Sequence, residues 1–131
     1  GYGGNFPSYL QWLEENGVVI VMIEHVEAVN NIREILSVPN VDGFIIGPYD
    51  LSASLGCAGE LENLKVVDAV EEVSSIGKSL GVPGGVHVVE PKLDLLKHYI
   101  DLGFTFIGYG MDIRFIDTIC RDHLKKIKNF R

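Results

Sequence analysis

Two carboxylates stand where a parallel α/β protein puts its chemistry. Glu24 closes the apolar run Val18-Val19-Ile20-Val21-Met22-Ile23, and Asp50 lies just past Gly47-Pro48, which ends the shorter run Phe44-Ile45-Ile46. Runs of this length and β-branched content read as buried strands. Parallel sheets bind ligands beyond the carboxyl ends of their strands, so both acids are delivered to the functional edge. Two carboxylates with no cysteine or histidine pattern beside them suit a hard divalent cation such as Mg2+ or Mn2+.

The four histidines are weaker candidates. His25 follows Glu24 and is expected on the opposite side of the strand, toward the helices. His87 falls inside a strand, as a core or pocket-lining side chain, while His98 and His123 fall on helices as surface residues. Asp42 and Gly43 read as the turn into the second strand, and Asp112 as a helix cap. Phe6 and Trp12 read as packing, and Pro48 as the fixed turn that aims Asp50.

Those acids need a frame. Residues 1–5 read as loop, followed by a short helix around Tyr9–Glu15, with Pro7 and Ser8 at its start and Asn16-Gly17 at its end. The first strand runs from Val18 to Glu24 and is apolar throughout, as strands covered on both faces are. A helix over Val26–Leu36 carries Val29, Ile32, Ile35 and Leu36 on one face and stops at Pro39-Asn40. The second strand is Gly43–Ile46. After Asp50, Leu51–Glu60 reads as a long glycine-rich loop that walls the site. Then come a helix over Leu64–Leu80 ending at Gly81, a strand over Gly84–Val89, a helix over Pro91–Leu102 and a strand over Phe104–Tyr109. A last helix, Ile113–Asn129, has bases at its C-terminal end.

Four strand-helix repeats behind one extra helix call for a parallel sheet with right-handed crossovers. Two architectures satisfy this: an open doubly wound sheet, or a (β/α) barrel with half its units present. A complete barrel takes about 250 residues. No G-x-G-x-x-G follows a strand, and Gly81-Val82-Pro83-Gly84-Gly85 reads as a helix cap and turn.

At 131 residues and 47% apolar the chain holds one domain with a substantial core. Its net charge of −7 with no basic block argues against nucleic acid and anionic membranes, leaving small molecules as partners. The apolar runs are strand-length and no signal-type segment opens the chain, so a soluble, cytoplasmic protein is expected. Cys57 and Cys120 lack a C-x-x-C spacing and read as reduced thiols.

A family resemblance rests on particular segments. Met22-Ile23-Glu24, then Ala28, Asn31 and Ile35, then Val41-Asp42-Gly43-Phe44-Ile45-Ile46-Gly47-Pro48-Tyr49-Asp50-Leu51-Ser52-Ala53-Ser54-Leu55-Gly56, resemble the C-terminal half of the HpcH/HpaI aldolases. Tyr2-Gly3 with Tyr9, and Gly103-Phe104 through Gly108-Tyr109-Gly110-Met111-Asp112, extend the likeness. Its most specific part is Gly-Pro-x-Asp-Leu-Ser at the right distance from Ile-Glu. The resemblance implies part of a TIM barrel and reversible, metal-dependent cleavage of 4-hydroxy-2-oxo acids to pyruvate and an aldehyde, through an enolate. By position, Glu24 and Asp50 would ligate Mg2+, Mn2+ or Co2+, and the N–H groups of Tyr49 and Asp50 would hold the substrate carboxylate.

Some positions depart from the family pattern. Met22 stands where a glutamine is usual and Tyr49 where alanine is common, removing one polar contact and reshaping the pocket. The family's catalytic histidine and substrate-binding arginine belong to the first half of the barrel, so the catalytic acid/base is unassigned here. An isolated half would expose sheet edges and interior, which implies self-association or a partner supplying the rest. Two other readings stand beside the aldolase: a non-catalytic half-barrel remnant, and an acyl-CoA lyase of the citrate-lyase β type. Against the latter, no basic cluster is present to grip the CoA phosphates.

Overall fold

The computed structural model describes residues 3–128 and 130; Tyr2 and Asn129, used in the expectations above, lie outside the described residues. The elements in chain order are α1 (Phe6–Asn16), β1 (Ile20–Ile23), α2 (Val26–Asn30), α3 (Ile32–Leu36), β2 (Gly43–Ile46), α4 (Pro48–Ser54), α5 (Leu64–Leu80), β3 (Gly84–Val88), α6 (Leu93–Asp101), β4 (Phe106–Tyr109) and α7 (Asp112–Lys128). All strand pairs are parallel and the spatial order is β1-β2-β3-β4. A doubly wound sheet reverses its strand order and carries helices on both faces. Here the order never reverses, and Ile20 and Met22 on the other face of β1 are about half exposed. The winding is that of a barrel, and these are four of its strands.

The core lies between the sheet and the helices. Ile23, Phe44, Ile46, Val86 and Val88 point into it from the strands. Ile32 and Leu36 meet them from α3, Leu51 from α4, and Val66, Val70 and Val73 from α5. Phe44 is the hub. Its ring lies where a Cβ on Gly77 or Gly84 would have to go, and it stands edge-on to Phe104 at 6.5 Å. Glycine inside a helix costs about 1 kcal/mol relative to alanine; at Gly77 it lets α5 close onto β2.

Four sequence expectations are corrected. β1 starts at Ile20 and is not covered on both faces: Val18 is 71% exposed and Met22 56%. An edge strand with an uncovered inner face has the same apolar sequence as a doubly buried one. The helix expected over Val26–Leu36 breaks at Asn31, whose φ of −107° and ψ of 17° leave the helical region. The Asn31 side-chain amide donates to Glu27 O at 2.7 Å, the competition with the backbone that asparagine sets up. The loop expected after Asp50 is helical through Ser54, because Pro48 opens α4 from its first turn. With α4 and the split helix, the described residues contain seven helices against about five expected.

What remains of that loop is tied down. The buried Ser52 hydroxyl donates to Tyr49 O at 2.6 Å and accepts from Gly59 N–H at 2.8 Å. Truncating Phe44 to alanine should destabilise the fold by about 3–5 kcal/mol. Urea unfolding monitored by circular dichroism checks this through a lowered midpoint, with Phe44→Leu falling between the two.

Candidate functional site

Glu24 and Asp50 reach the same edge by different routes. Glu24 directly follows β1 and is half-buried; Asp50 follows β2 within the first turn of α4 and is exposed. The ladder continues one step past β1, where Gly47 N–H donates to Ile23 O at 3.1 Å. A Cβ placed on Gly47 would stand 3.2 Å from Glu24 Oε2, so the carboxylate lies over a position that has no side chain. Among the described residues neither acid has a side-chain hydrogen bond or ion pair. Leu51 N–H is the first of α4 to find a carbonyl, Gly47 O at 3.0 Å, leaving the Tyr49 and Asp50 N–H groups without a backbone acceptor.

These residues fit a hard divalent cation. They supply oxygen donors only and neither is engaged by a base, but no group of three His, Cys, Asp or Glu is gathered here or elsewhere among the described residues, so the two carboxylates would be the protein's whole donor set. Mg2+ keeps several waters and binds through one or two carboxylates plus ligand oxygens, so two protein oxygens leave room for water and substrate.

The other candidates resolve individually. His25 caps α2, its Nδ1 accepting from Glu27 N–H at 3.2 Å. His98 and His123 are exposed, as expected for helix surface. Asp42 holds the strand entry: its carboxylate accepts from Val19 N–H at 2.7 Å while its own N–H donates to Val19 O at 2.9 Å. Asp112 begins α7 and accepts from Ile113 N–H at 2.7 Å. Phe6 and Trp12 are more than half exposed, so packing within the chain does not account for them. Tyr49 turns its side chain into a groove of about 700 Å³ between α5 and α6, shared with Glu60, Val70, Leu95 and Tyr99. Neither Glu24 nor Asp50 lines that groove.

His87, expected as a core or pocket-lining side chain within a strand, lies on β3. Val86 and Val88 are buried under the helices, which turns His87, half-buried, to the other face. Gly108 is its partner on β4, and a Cβ there would sit 3.2 Å from His87 Cδ2.

The sequence also gave no sign of the clamp beside this edge. Arg114 on α7 donates from Nε and Nη2 to the two carboxylate oxygens of Glu90 at 3.1 and 2.8 Å, and from Nη1 to Asp117 at 2.9 Å. Glu90 and Arg114 are 24 residues apart, and no local spacing rule pairs them. Hydrogen bonding from Arg121 holds the Asp117 carboxyl below the usual carboxylate range. None of the α7 residues in the helix is buried, so this clamp and the Tyr109–Phe115 contact at 5.7 Å attach the helix at its first turn. Arg114→Ala should lower amide-exchange protection through the first two turns of α7 and leave α5 unchanged.

Comparison with known proteins bears on family and fold. The family profile described as HpcH/HpaI aldolase/citrate lyase matches residues 7–117. A relative named 4-hydroxy-2-oxo-heptane-1,7-dioate aldolase, from Shigella sonnei (strain Ss046), is 38% identical over 106 residues, covering 81% of this chain and 40% of its own length. The namesake from Salmonella paratyphi C (strain RKS4594) is 38% identical over 110 residues, with the same coverage. Among solved structures, an HpcH/HpaI aldolase/citrate lyase family protein from Burkholderia cenocepacia J2315 superposes with a TM-score of 0.85 at 29% identity, over 95% of this chain and 48% of that one. The HpcH/HpaI aldolase from Desulfitobacterium hafniense DCB-2 gives 0.81 at 30% identity, with the same coverage. The chain therefore spans about 40% of the length of these curated relatives and about half of these solved structures.

Proposed function

Because the chain belongs to the HpcH/HpaI aldolase/citrate lyase family, we propose that it carries the metal-binding part of a class II aldolase that cleaves a 4-hydroxy-2-oxo acid to pyruvate and an aldehyde. The observation that carries this reading is the pair of unengaged carboxylates, Glu24 and Asp50, delivered by adjacent parallel strands to one edge.

Glu24 and Asp50 would hold Mg2+, Mn2+ or Co2+, which when bound polarises the keto group and offsets the negative charge developing on the pyruvate half. The N–H groups of Tyr49 and Asp50, open at the start of α4, donate to the substrate carboxylate. Gly47 keeps the space beside Glu24 clear. Asp50 serves twice, through its side chain toward the cation and its N–H toward the substrate. Proton transfer at the hydroxyl is assigned to no residue of this chain, and that group is expected from the remainder of a barrel.

The exposed apolar surface supports association with a second copy or with a partner that completes the barrel. Ile20 and Met22, on the face of the sheet opposite its helices, are about half exposed, and α1 and α7 have no buried residue. No described helix is long and apolar enough to cross a membrane. Cys57 and Cys120 are both free, which supports a reducing, cytoplasmic setting.

Pyruvate release from 4-hydroxy-2-oxo-heptane-1,7-dioate, followed by a coupled lactate dehydrogenase assay with the first half of a family barrel joined to this chain to supply the proton-transfer group, should depend on added Mg2+, Mn2+ or Co2+. Glu24→Gln should abolish it and weaken Mn2+ binding by more than the roughly 10–100-fold that losing an outer-shell partner costs. Intact Mn2+ binding without turnover would instead favour the non-catalytic remnant. Unchanged Mn2+ affinity in both Glu24→Gln and Asp50→Asn would refute the metal site itself.

A further inference from the structure

The strand register places more than Glu24 along this edge. The pairs Ile23↔Ile46, Ile46↔Val86 and His87↔Gly108 set the Glu24, Gly47, His87 and Gly108 positions in one row across β1 to β4. The row beneath is apolar, with Met22 paired to Ile45 and Gly85 to Phe106. Both glycines in the upper row matter. A Cβ on Gly108 would stand 3.2 Å from the His87 ring and one on Gly47 3.2 Å from the Glu24 carboxylate, so each glycine makes room for a polar side chain of the row, and the single strand β2, with no side chain at Gly47, separates Glu24 from His87. Adjacent strands lie about 4.8 Å apart, so the backbones carrying these two residues are about 10 Å apart. A short chain of carbons fits between a cation on Glu24 and the imidazole.

We propose that His87 is a specificity-determining residue, hydrogen-bonding an oxygen on the part of an α-oxo acid that projects over Gly47 away from Glu24 and Asp50. The inference rests on the metal reading above, and it adds the ligand class: oxo acids bearing an acceptor group two or so carbons beyond the keto carbon. Three features carry it. His87 is the polar side chain of the row besides Glu24, it is half-buried on a face otherwise lined by apolar groups, and no described side chain accepts or donates a hydrogen bond at its ring. Its neighbours Val86 and Val88 are committed to the core, so His87 leaves the backbone on the inner face of the sheet.

The test uses binding and needs no turnover. With saturating Mg2+, titration calorimetry compares 2-oxoglutarate, which carries a distal carboxylate, with 2-oxopentanoate, which ends in a methyl group, and with pyruvate, which is too short to reach. Wild type should prefer 2-oxoglutarate over 2-oxopentanoate by roughly 10- to 100-fold, the scale of one hydrogen bond to a charged group. His87→Leu should bring that ratio to about one while pyruvate affinity stays within twofold, and His87→Gln, which keeps a donor, should restore part of the preference. Equal ratios in wild type and His87→Leu would overturn the proposal while leaving the metal site standing. Mg2+-independent binding of all three acids would overturn the metal reading and this inference together. A melting temperature for His87→Leu matching wild type separates lost recognition from lost fold.

Discussion

Parallel register is the constraint on which the rest of this molecule depends. Successive strands pair without reversal, so every strand ends at the same edge and a residue one step past any strand is delivered there. Side chains alternate between faces, so the same register divides each strand into a core set and an inner set. Ile23, Phe44, Ile46, Val86 and Val88 form the first; Met22, Glu24, His87 and Phe106 belong to the second. A slip of one residue on β1 would exchange the two sets, burying Glu24 under the helices and exposing Ile23. Packing around Phe44, closed from both sides by Gly77 and Gly84, opposes such a slip on the neighbouring strand.

Glycine has a second use at the edge. At Gly77 it lets a helix approach the sheet; at Gly47 and Gly108 it makes room on the inner face for the Glu24 carboxylate and the His87 ring. The same residue type thus closes the molecule on one face and opens it on the other. Pro48 completes the arrangement by starting a helix immediately after β2. The first turn of α4 then offers a side-chain carboxylate and open N–H groups together at Asp50. A flexible loop at that position would have to be ordered on binding, at an entropic cost that α4 avoids.

Much of this was legible in the sequence, and the exceptions have physical causes. β2 and α5 match the expected bounds because their signals are local: β-branched content, Gly47-Pro48 after β2, and Gly81 in the left-handed region at φ 71°. The position of Glu24 and Asp50 at one sheet edge was legible because Glu24 closes an apolar run and Asp50 follows the Gly47-Pro48 stop. The break at Asn31 was missed because its cause is a side-chain amide bonding its own preceding turn, which helical periodicity cannot register. α4 was missed because Ser52, Ser54 and Gly56 look like loop residues, although Ser52 is buried and fully used. The row containing His87 and the Glu90–Arg114 clamp depend on register and tertiary distance, which no window of sequence contains.

The exposed apolar residues follow from the same geometry. A four-stranded barrel-wound sheet has one face covered by its own helices and one face that only further strands, from this or another polypeptide, would cover. Met22 and Ile20 are apolar for that second role, and their exposure here reflects an interior face rather than a poorly chosen surface. α7 adds a distinct case: its clamp to Glu90 fixes its first turn, yet Ile116, Ile119, Leu124 and Ile127 farther along are each more than half exposed. A helix held at one end with its apolar side uncovered is oriented by the clamp and stabilised by whatever packs against it. Fixing the first turn sets the direction in which that apolar side is offered, beside the same edge of the sheet that holds the carboxylates.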